Sequence, residues 1–441
     1  MTTTDLQSQA RAVLARNDRG DFSTPSPTQY PHQWNWDAAL IALGWSHVDM
    51  KRARTEIRSL LRAQWRDGML PHIVYHHGAS DYFPPPDFWQ TRDLPFAGAV
   101  PSSALTQPPV LATVVRALHE RSARDATAFA FLHEVFPHIR DWHRWLHRSR
   151  AIDESGLPCL IHPWESGTDN SPRWAPPLSR ITPHDLPAYR RRDTTHVAPD
   201  ERPLPQDYER FVYLIDQGRR MGWEPSRLLA TSPFLVQDVM FCSILQRADE
   251  DLLALAQLVG EDTREIAGWS EQARQAFDTR FWHAARGLYL DYDVRAREPI
   301  PVNTFATFMP LYAGLASREQ AARLMAEHWN DPREYAPDAD SNYRLSTTSK
   351  SEPDYAPRRY WCGPVWMFTN WLLYMGLKRY ALNDEADSLR ADTLTLLQRP
   401  GFREYFDPRD GAGLGATDFA WSAALTLELL ASPDQRPDVG S

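Results

Sequence analysis

The stretch KRARTEIRSLLRAQW, residues 51–65, shows the pattern that recurs along most of this chain. After a basic turn, apolar side chains follow one another at helical spacing, at Ile57, Leu60, Leu61 and Trp65. Spacings of three and four residues place them on one face of an α-helix. Such a face has to be buried against other elements, so the stretch predicts one helix of a packed, largely helical protein.

Similar apolar stripes predict further helices at about 5–16, 34–48, 107–121, 125–148, 232–259, 263–281, 303–316, 318–329, 363–380, 382–399 and 418–432. The clearest strand is LYLDYDV, Leu288–Val294, where polar and apolar residues alternate. About a dozen helices without βαβ alternation or a long flexible linker predict a single all-α domain over residues 1–441. The long connections are rich in Trp, Tyr and Pro, which favours a helical toroid with a crater built from loops. A helical-repeat scaffold fits less well, since no fixed sequence period is present.

Composition excludes several classes of protein. The net charge of −9 over 441 residues argues against a general nucleic-acid binder. No apolar run is long enough to predict a membrane span, and the N-terminus lacks the pattern of a secretory signal. Three scattered cysteines (Cys159, Cys242 and Cys362) form neither a disulfide framework nor a zinc-binding spacing. We therefore expect a cytoplasmic protein without cofactor, metal, nucleic-acid partner or membrane partner. Whether it forms a homo-oligomer stays open.

Five loop segments combine aromatic rings with polar side chains. They are YPHQWNWD (Tyr30–Asp37), MLPHIVYHH (Met69–His77), WESGTDNSPRW (Trp164–Trp174), YWCGPVWMFTNW (Tyr360–Trp371) and FREYFDP (Phe402–Pro408). Aromatic rings cover the apolar face of a sugar, and Asp, Gln and His bind its hydroxyl groups. Each segment alone could equally supply core aromatics and helix-capping acids. Five of them at loop-to-helix junctions predict a carbohydrate site. The segments YHHG and PDADSN lack a recognised metal-ligand spacing.

Four of these segments also resemble a known family. ESGTDNSPRW resembles the acid-bearing signature of the (α/α)6 glycosidases of glycoside hydrolase family 63 and their trehalase relatives. FREYFDP, followed by GLG and FAWSAAL, is similar to the base-bearing segment of that family. YPHQWNWDAALIALG and YWCGPVWMFTNW resemble its substrate-site segments. The resemblance implies an (α/α)6 toroid with long active-site loops, of which those at about 71–107 and 175–208 would be lid-like.

Within the family, the chain looks closest to bacterial glucosylglycerate and mannosylglycerate hydrolases. The resemblance implies an inverting α-glycoside hydrolase that cleaves 2-O-α-glucosylglycerate or mannosylglycerate, a small-molecule substrate, to hexose and glycerate. It assigns the acid to Asp169 and the base to Glu404, with Glu165 as a supporting residue. In an inverting enzyme the two carboxyl groups lie roughly 6.5–9.5 Å apart. The residues alone leave open that Asp169 shapes an Asx-turn and that Glu404 is a surface acid paired with Arg403.

The resemblance further implies that Tyr30, Trp34 and Asp37 surround the non-reducing sugar. We also expect other residues of these loops to bind the substrate: His72, Tyr82, Gln107, Gly167, Tyr360, Trp361 and Trp366. Trp361 and Trp366 cannot share a regular helix face, so we expect them to form two walls of one pocket. Asp37 could instead cap the helix that follows it. His72 could be a structural histidine bonded to backbone, and the two tryptophans could be plain core.

A carboxylate clamp is implied in DERPLPQDYERF, residues 200–211. Arg202 and Tyr208 look like the residues that hold glycerate in the related hydrolases, since a buried carboxylate needs a cation and a hydroxyl donor. Arg202 could also be solvated on a proline-rich loop. The nearby basic run Arg190–Arg192 is interpreted as a solvated face. Two other functions stay open: an α-glucosidase acting on neutral disaccharides such as kojibiose or trehalose, and a non-catalytic carbohydrate-binding scaffold.

Overall fold

The computed structural model describes residues 3–76, 82–122 and 125–431. Its α-helices are α1 (Thr3–Asn17), α2 (Asn35–Trp45), α3 (Met50–Leu61), α4 (Leu111–Arg121), α5 (Ala126–Ser149), α6 (Ala175–Ser179), α7 (Pro205–Arg220), α8 (Pro225–Thr231), α9 (Val239–Val259), α10 (Arg264–Phe281), α11 (Met309–Ala313), α12 (Arg318–Arg323), α13 (Met367–Arg379), α14 (Asn383–Leu396) and α15 (Ala420–Leu430). Helix α12 continues as a π-helical turn, Leu324–Trp329.

Two concentric rings of helices form the body of the protein. In the inner ring α2, α4, α9, α11, α13 and α15 each pack against the next, and α15 closes the ring on α2. Outside it, α1 packs on α15, α3 on α2, α5 on α4 and α9, α10 on α9, and α14 on α13. The predicted (α/α)6 toroid is therefore confirmed.

The sequence distinguishes inner helices from outer ones. Every residue of α2 is buried, and so are all residues of α15 except the last. A helix that is apolar all round has to be covered on all sides, which suits the inner ring. Helix α3 instead buries Ile57 and Leu60 while Lys51 is exposed and Arg58 half-buried, so one side of it reaches the surface, as an outer helix requires. Among the helices of the described ranges, none is long and apolar enough to cross a membrane.

Short strands tie the connections together. They are β1 (Gln33–Trp34), β2 (Ile73–Val74), β3 (Val236–Gln237), β4 (Trp282–His283), β5 (Leu288–Tyr289), β6 (Tyr292–Asp293), β7 (Glu298–Pro299), β8 (Tyr405–Phe406) and β9 (Gly413–Leu414). All pairings are antiparallel: β1 with β2, β3 with β6 and β6 with β7, β4 with β5, and β8 with β9. The first pair holds the segment before α2 beside residue 73, and the last forms a hairpin directly after Glu404.

Several predicted boundaries need correction. The predicted strand Leu288–Val294 is two short strands, β5 and β6, separated by two residues. The predicted helix at 303–316 is a 3-10 turn, Phe305–Phe308, followed by the short α11. The predicted helix at 232–259 begins only at Val239, because the Asp238 side chain accepts hydrogen bonds from the next backbone N–H groups and caps α9.

Helix α7 begins within the predicted loop at about 175–208 and continues to Arg220, through a stretch where no helix is predicted from the sequence. Its sequence carries a helical stripe, with buried residues at Tyr208, Phe211, Val212 and Ile215. Pro205 is its first residue, a position that tolerates proline because no intrahelical N–H is needed there. The proposed 175–208 loop therefore ends in a helix. Residues 77–81 of the 71–107 loop and residue 432 of the last predicted helix lie outside the described residues, and the single-domain organisation stays a prediction.

Gly44 allows the close approach of α2 and α15, since a Cβ at this position would overlap the backbone and Cβ of Ala424. We expect Gly44→Ala to lower the free energy of unfolding by about 1–3 kcal/mol, the range for overpacking a core. Thermal or urea unfolding measures the change. The control is Gly268→Ala in α10, where no atom lies within 4 Å of the added carbon, so that stability should be unchanged or slightly higher. Equal unfolding midpoints for the two variants would contradict this interpretation of the inner ring.

Candidate active site

A cavity of about 80 Å³ is lined by residues from all five of the aromatic loop segments quoted above. All fourteen residues predicted for catalysis or binding line it: Tyr30, Trp34, Asp37, His72, Tyr82, Gln107, Gly167, Asp169, Arg202, Tyr208, Tyr360, Trp361, Trp366 and Glu404. Seven further residues line it as well: Pro25, Trp36, Trp164, Asp193, Pro203, Phe419 and Trp421. Trp36, Trp164, Phe419 and Trp421 lie within the quoted segments, whereas no sequence signal marks Asp193. The structure thus brings the predicted residues together, and their individual roles stay predictions.

Asp169 lies on a loop that is fixed from both sides. On one side, the Thr168 hydroxyl oxygen accepts a hydrogen bond from Arg173 at 3.0 Å, and its carbonyl accepts one from the Trp174 indole at 2.8 Å. On the other side, the Asn170 side-chain oxygen accepts the backbone N–H of Trp361 at 3.0 Å. The carboxyl group is therefore presented to the cavity by a rigid backbone.

Arg173 itself belongs to a buried ion cluster. Its guanidinium donates to Asp238 at 3.0 Å and to Asp291 at 2.9 Å. Asp291 also accepts the backbone N–H of Val239, the first residue of α9. The acid loop is in this way anchored to the start of an inner helix.

Gly167 enables the sharp turn before Asp169. It ends the 3-10 turn Pro163–Ser166 with φ of +71°, a left-handed conformation that glycine adopts without strain. A side chain here would also overlap the ring of Trp36. Gly167 lines the cavity as predicted, and its backbone requirement explains why this position is glycine.

The environment of Asp169 favours the protonated carboxyl group. Burial raises the pKa of Asp169 to about 7, and the charges of Glu404 and Asp193 also raise it, whereas Arg202 lowers it. The side chain is only partly exposed, through its opening into the cavity. A carboxyl group that holds its proton near neutral pH is suited to donate it to a leaving group.

Glu404 lies in the opposite environment, although it is only 1% exposed. One carboxylate oxygen accepts the Tyr30 hydroxyl at 2.7 Å and lies 3.5 Å from an Arg202 nitrogen. The other accepts the backbone N–H of Ala416 at 2.9 Å. Hydrogen-bond donors thus converge on both oxygens, and an ionised carboxylate can satisfy all of them because it only accepts.

The alternative pairing of Glu404 with Arg403 is wrong. The Arg403 guanidinium donates to the backbone carbonyls of Leu414 and Gly415 instead. Arg403 therefore closes the β8–β9 hairpin from outside, while Glu404 faces the cavity.

Asp37 is not the N-cap of α2. The helix starts at Asn35, after Trp34, so Asp37 lies within its first turn and is 4% exposed. Burial and then the charge of Glu404 raise the pKa of Asp37 well above its usual value. The capping contact comes from Gln107, whose side-chain oxygen accepts the backbone N–H of Trp36 at 3.2 Å.

His72 is held by a side chain. Its Nδ1 lies 2.6 Å from the Ser103 hydroxyl. Burial holds the pKa of His72 well below its ordinary value, so the imidazole is neutral at physiological pH. A neutral ring that lines the cavity can accept or donate a hydrogen bond to a sugar hydroxyl.

The expectation that Trp361 and Trp366 form two walls is wrong. Their rings stack with centroids 3.8 Å apart and planes 7° from parallel, so they form one wall. Helix α13 starts only at Met367, and the loop before it folds Trp366 back onto Trp361. Tyr405 extends the stack, with its centroid 4.7 Å from that of Trp366. A second group of aromatic rings packs edge to face. The ring centroid of Trp34 lies 5.2 Å from that of Tyr30 and 5.2 Å from that of Tyr82.

Glu165 is fully buried and binds protein groups. It forms a two-point contact with Arg150, at 2.9 and 2.6 Å, and accepts the backbone N–H groups of Ile161 and Thr106. Since Thr106 precedes the cavity residue Gln107, Glu165 connects the acid loop to the neighbouring connection, which agrees with a supporting role.

Arg202 is not solvated, being 3% exposed. Its guanidinium donates to the Tyr30 hydroxyl at 3.0 Å and lies over the ring of Tyr360, 4.0 Å from the centroid. The preceding residue, Glu201, fixes this segment to the base-bearing hairpin. Its carbonyl accepts the Tyr405 hydroxyl at 2.8 Å, and its carboxylate accepts the Gly415 N–H at 3.0 Å.

Metal-binding side chains are not assembled in the part of the chain that the structure describes, where no group of three His, Cys, Asp or Glu could hold an ion. His77, which ends the segment Met69–His77 and belongs to YHHG, lies outside that part.

Comparison with known proteins assigns the family. Residues 30–422 match the family described as mannosylglycerate hydrolase MGH1-like glycoside hydrolase domain. The chain belongs to this family of glycoside hydrolases. The resemblance to glycoside hydrolase family 63 is confirmed, and the alternative of a non-catalytic scaffold is wrong.

Three relatives illustrate the similarity. A mannosylglycerate hydrolase from Thermus thermophilus is 44% identical over 423 residues, which cover 95% of this chain and 99% of that protein. A glucosylglycerate hydrolase from Mycolicibacterium hassiacum is 35% identical, with 97% of this chain and 98% of that protein covered. The crystal structure of family 63 mannosylglycerate hydrolase from Thermus thermophilus in complex with Tris and D-glycerate superposes with a TM-score of 0.89 at 44% identity, covering 96% of this chain and 99% of that one.

Asp169→Asn should stabilise the protein in a pH-dependent way. The unfolded chain ionises this carboxyl at a pKa near its ordinary value of about 4, whereas the folded protein keeps it protonated up to about 7. Between these values only the folded state holds the proton, so wild-type stability falls as pH rises and the loss is complete above about 7. The amide does not titrate. The difference in Tm, variant minus wild type, should therefore grow over this window and then stay level.

Scanning calorimetry in matched buffers measures this difference. Asp21→Asn, at an exposed aspartate, serves as the control and should follow the wild-type pH dependence. A Tm difference for Asp169→Asn that is constant across the window would contradict the raised pKa.

Proposed function

We propose that this glycoside hydrolase cleaves 2-O-α-glucosylglycerate or mannosylglycerate with inversion, using Asp169 as the acid and Glu404 as the base. The observation that carries the proposal is the contrast between these two carboxyl groups of one cavity. Burial favours the protonated form of Asp169, with its pKa at about 7. Hydrogen-bond donors occupy both oxygens of Glu404. Glycosidic bond hydrolysis by inversion needs one such acid and one such base.

The chemistry follows from this contrast. Asp169 donates its proton to the glycosidic oxygen, and the bond from that oxygen to the anomeric carbon breaks. Glu404 removes a proton from a water molecule, whose oxygen attacks the anomeric carbon from the opposite face. Hexose and glycerate leave, and the proton gained by Glu404 returns through solvent to Asp169. Tyr30 and the Ala416 N–H orient the base carboxylate towards the water.

Arg202 supports a glycerate aglycone. Among the residues described, it is the only arginine or lysine that lines the cavity, and a substrate carboxylate buried there needs a cation. Tyr208 lines the same cavity and supplies a hydroxyl group. Neutral disaccharides such as kojibiose or trehalose have no charge for Arg202 to bind. The names of the relatives, and the D-glycerate bound in one of them, agree with this choice.

The enclosure of the site supports a small substrate. Four buried residues, Asp193, Arg202, Pro203 and Tyr208, are among those that line the cavity of about 80 Å³, and a site of this size suits a small glycoside better than a polymer. We include in the proposal that the loops at about 71–107 and 175–208 act as lids. The free state of the three cysteines supports the cytoplasm as the location.

The wild-type protein should release hexose and glycerate from glucosylglycerate or mannosylglycerate, and release hexose much more slowly from kojibiose and trehalose. Asp169→Asn and Glu404→Gln should each lower kcat by roughly 10²–10⁴, the range for losing one acid or base contribution. Hexose release under identical conditions measures both effects, and circular dichroism verifies the fold of each variant.

Asp384→Asn, at an exposed carboxylate near the start of α14, provides the matched control and should leave kcat unchanged. Near-normal turnover by either active-site variant, with contaminating hydrolase excluded, would remove that residue from the mechanism. Faster release from trehalose or kojibiose than from the glycerate glycosides would favour the neutral-disaccharide function.

A further inference from the structure

Arg191 is not part of a solvated face, contrary to the interpretation of the run Arg190–Arg192. It donates to both carboxylate oxygens of Asp193, at 3.0 and 2.6 Å. It also donates to the carbonyl of Pro203 at 2.9 Å and lies over the ring of Tyr208, 4.3 Å from the centroid. One guanidinium therefore contacts Tyr208 itself and the residue next to Arg202.

Asp193 lies between two arginines. Its backbone carbonyl accepts the Gln29 side chain at 3.0 Å, which fixes it to the loop that carries Tyr30. Its carboxylate, besides the two contacts to Arg191, lies 3.7 Å from the Nε of Arg202. That Nε is buried and has no hydrogen-bond partner in the structure. Arg202 thus retains a donor that Asp193 approaches without bonding.

The contact between Arg191 and Asp193 matters because of the charges that line the cavity. Among the described residues, four carboxyl groups and the single guanidinium of Arg202 line the cavity. Burial favours the protonated forms of Asp37 and Asp169 by raising the pKa of each, whereas Asp193 and Glu404 both lie within 4 Å of an Arg202 nitrogen. A substrate carboxylate entering such a site meets like charges, which disfavour binding. The two-point contact with Arg191 balances the charge of Asp193, because paired N–H donors match a carboxylate in geometry and sign. Without Arg191, the nearest cation for Asp193 is Arg202.

We propose that Arg191 is a specificity-determining residue: by engaging Asp193, it leaves the Arg202 guanidinium available for the carboxylate of a glycerate-type aglycone. The inference rests on the proposed function and deepens it, since it names a residue that selects charged over neutral substrates. Arg191 is not among the residues that line the cavity. It acts through Asp193, Tyr208 and the Arg202 segment, as a positioning residue.

The test compares Arg191→Gln with Arg190→Gln in the full chain, the latter removing the same charge from an exposed neighbour. KM and kcat are measured with glucosylglycerate or mannosylglycerate, whichever the wild type cleaves faster, and with the corresponding neutral hexosylglycerol. Arg191→Gln should raise KM for the charged substrate about tenfold, the scale of losing one favourable charge contact. Its kcat, and its KM for the neutral substrate, should change less than about twofold. Arg190→Gln should behave as the wild type.

A second part of the test removes the Asp193 carboxylate, which competes with the substrate for Arg202. Asp193→Asn in the Arg191→Gln background should return KM for the charged substrate towards the wild-type value, because the amide no longer competes for Arg202. Asp193→Asn alone should leave that KM equal or lower, which keeps the proposal testable if Arg191→Gln does not fold. Calorimetric titration with D-glycerate, and with glycerol as the neutral probe, should show the same order of affinities without any turnover.

The outcomes separate the two proposals. A wild type that neither cleaves a glycerate glycoside nor binds D-glycerate contradicts the proposed function and this inference with it. If the wild type is active on the charged substrate, three results overturn the role of Arg191 alone. These are an Arg191→Gln variant that matches Arg190→Gln, equal losses on charged and neutral substrates, and a double variant without rescue.

Discussion

The hydrogen bond from Tyr30 to Glu404, 2.7 Å long, is the contact on which the site depends. It joins the loop before α2 to the hairpin before α15, and these two helices are the neighbours that close the inner ring. Arg202 adds a third segment by donating to the Tyr30 hydroxyl. The contact of the base with Tyr30 therefore forms only when the segments before the first and last inner helices meet, which links the site to closure of the ring.

Hydrogen-bond donors distinguish Glu404 from Asp169 within the same cavity. Glu404 is enclosed by donors from three parts of the chain, while Asp169 stands on a rigid loop where burial raises its pKa to about 7. Placing a buried acid among other carboxylates costs stability, as catalytic sites often do. The hydrogen bonds of Arg173 to Asp238 and Asp291 offset this cost by anchoring the loop that carries Asp169. The rigid backbone of this loop thus holds Asp169 in the buried position that keeps it neutral.

Much of the fold and of the site composition could be predicted from the sequence, because both depend on local patterns. Helical stripes are local, and so are the segments that place Asp169 or Glu404 beside aromatic residues. The contacts between segments could not be predicted. Gln107 caps a helix 71 residues earlier in the chain, and Trp366 stacks on Trp361 through a loop whose path depends on its surroundings. Arg191 resembled a surface charge because its partners are fixed only by the fold around it. Helix α7, in contrast, could have been predicted, because its apolar stripe at Tyr208, Phe211, Val212 and Ile215 is a local pattern of the sequence.

The assignment of an acid and a base on opposite sides of the sugar is tested most directly by the anomer that is released first. Proton NMR of the hexose within the first minutes of hydrolysis, before mutarotation, distinguishes the two anomers. Inversion at an α-glycoside predicts that β-hexose appears first. Initial release of the α-anomer would contradict the roles of Asp169 and Glu404, because retention requires a nucleophilic carboxylate only about 5–5.5 Å from the acid.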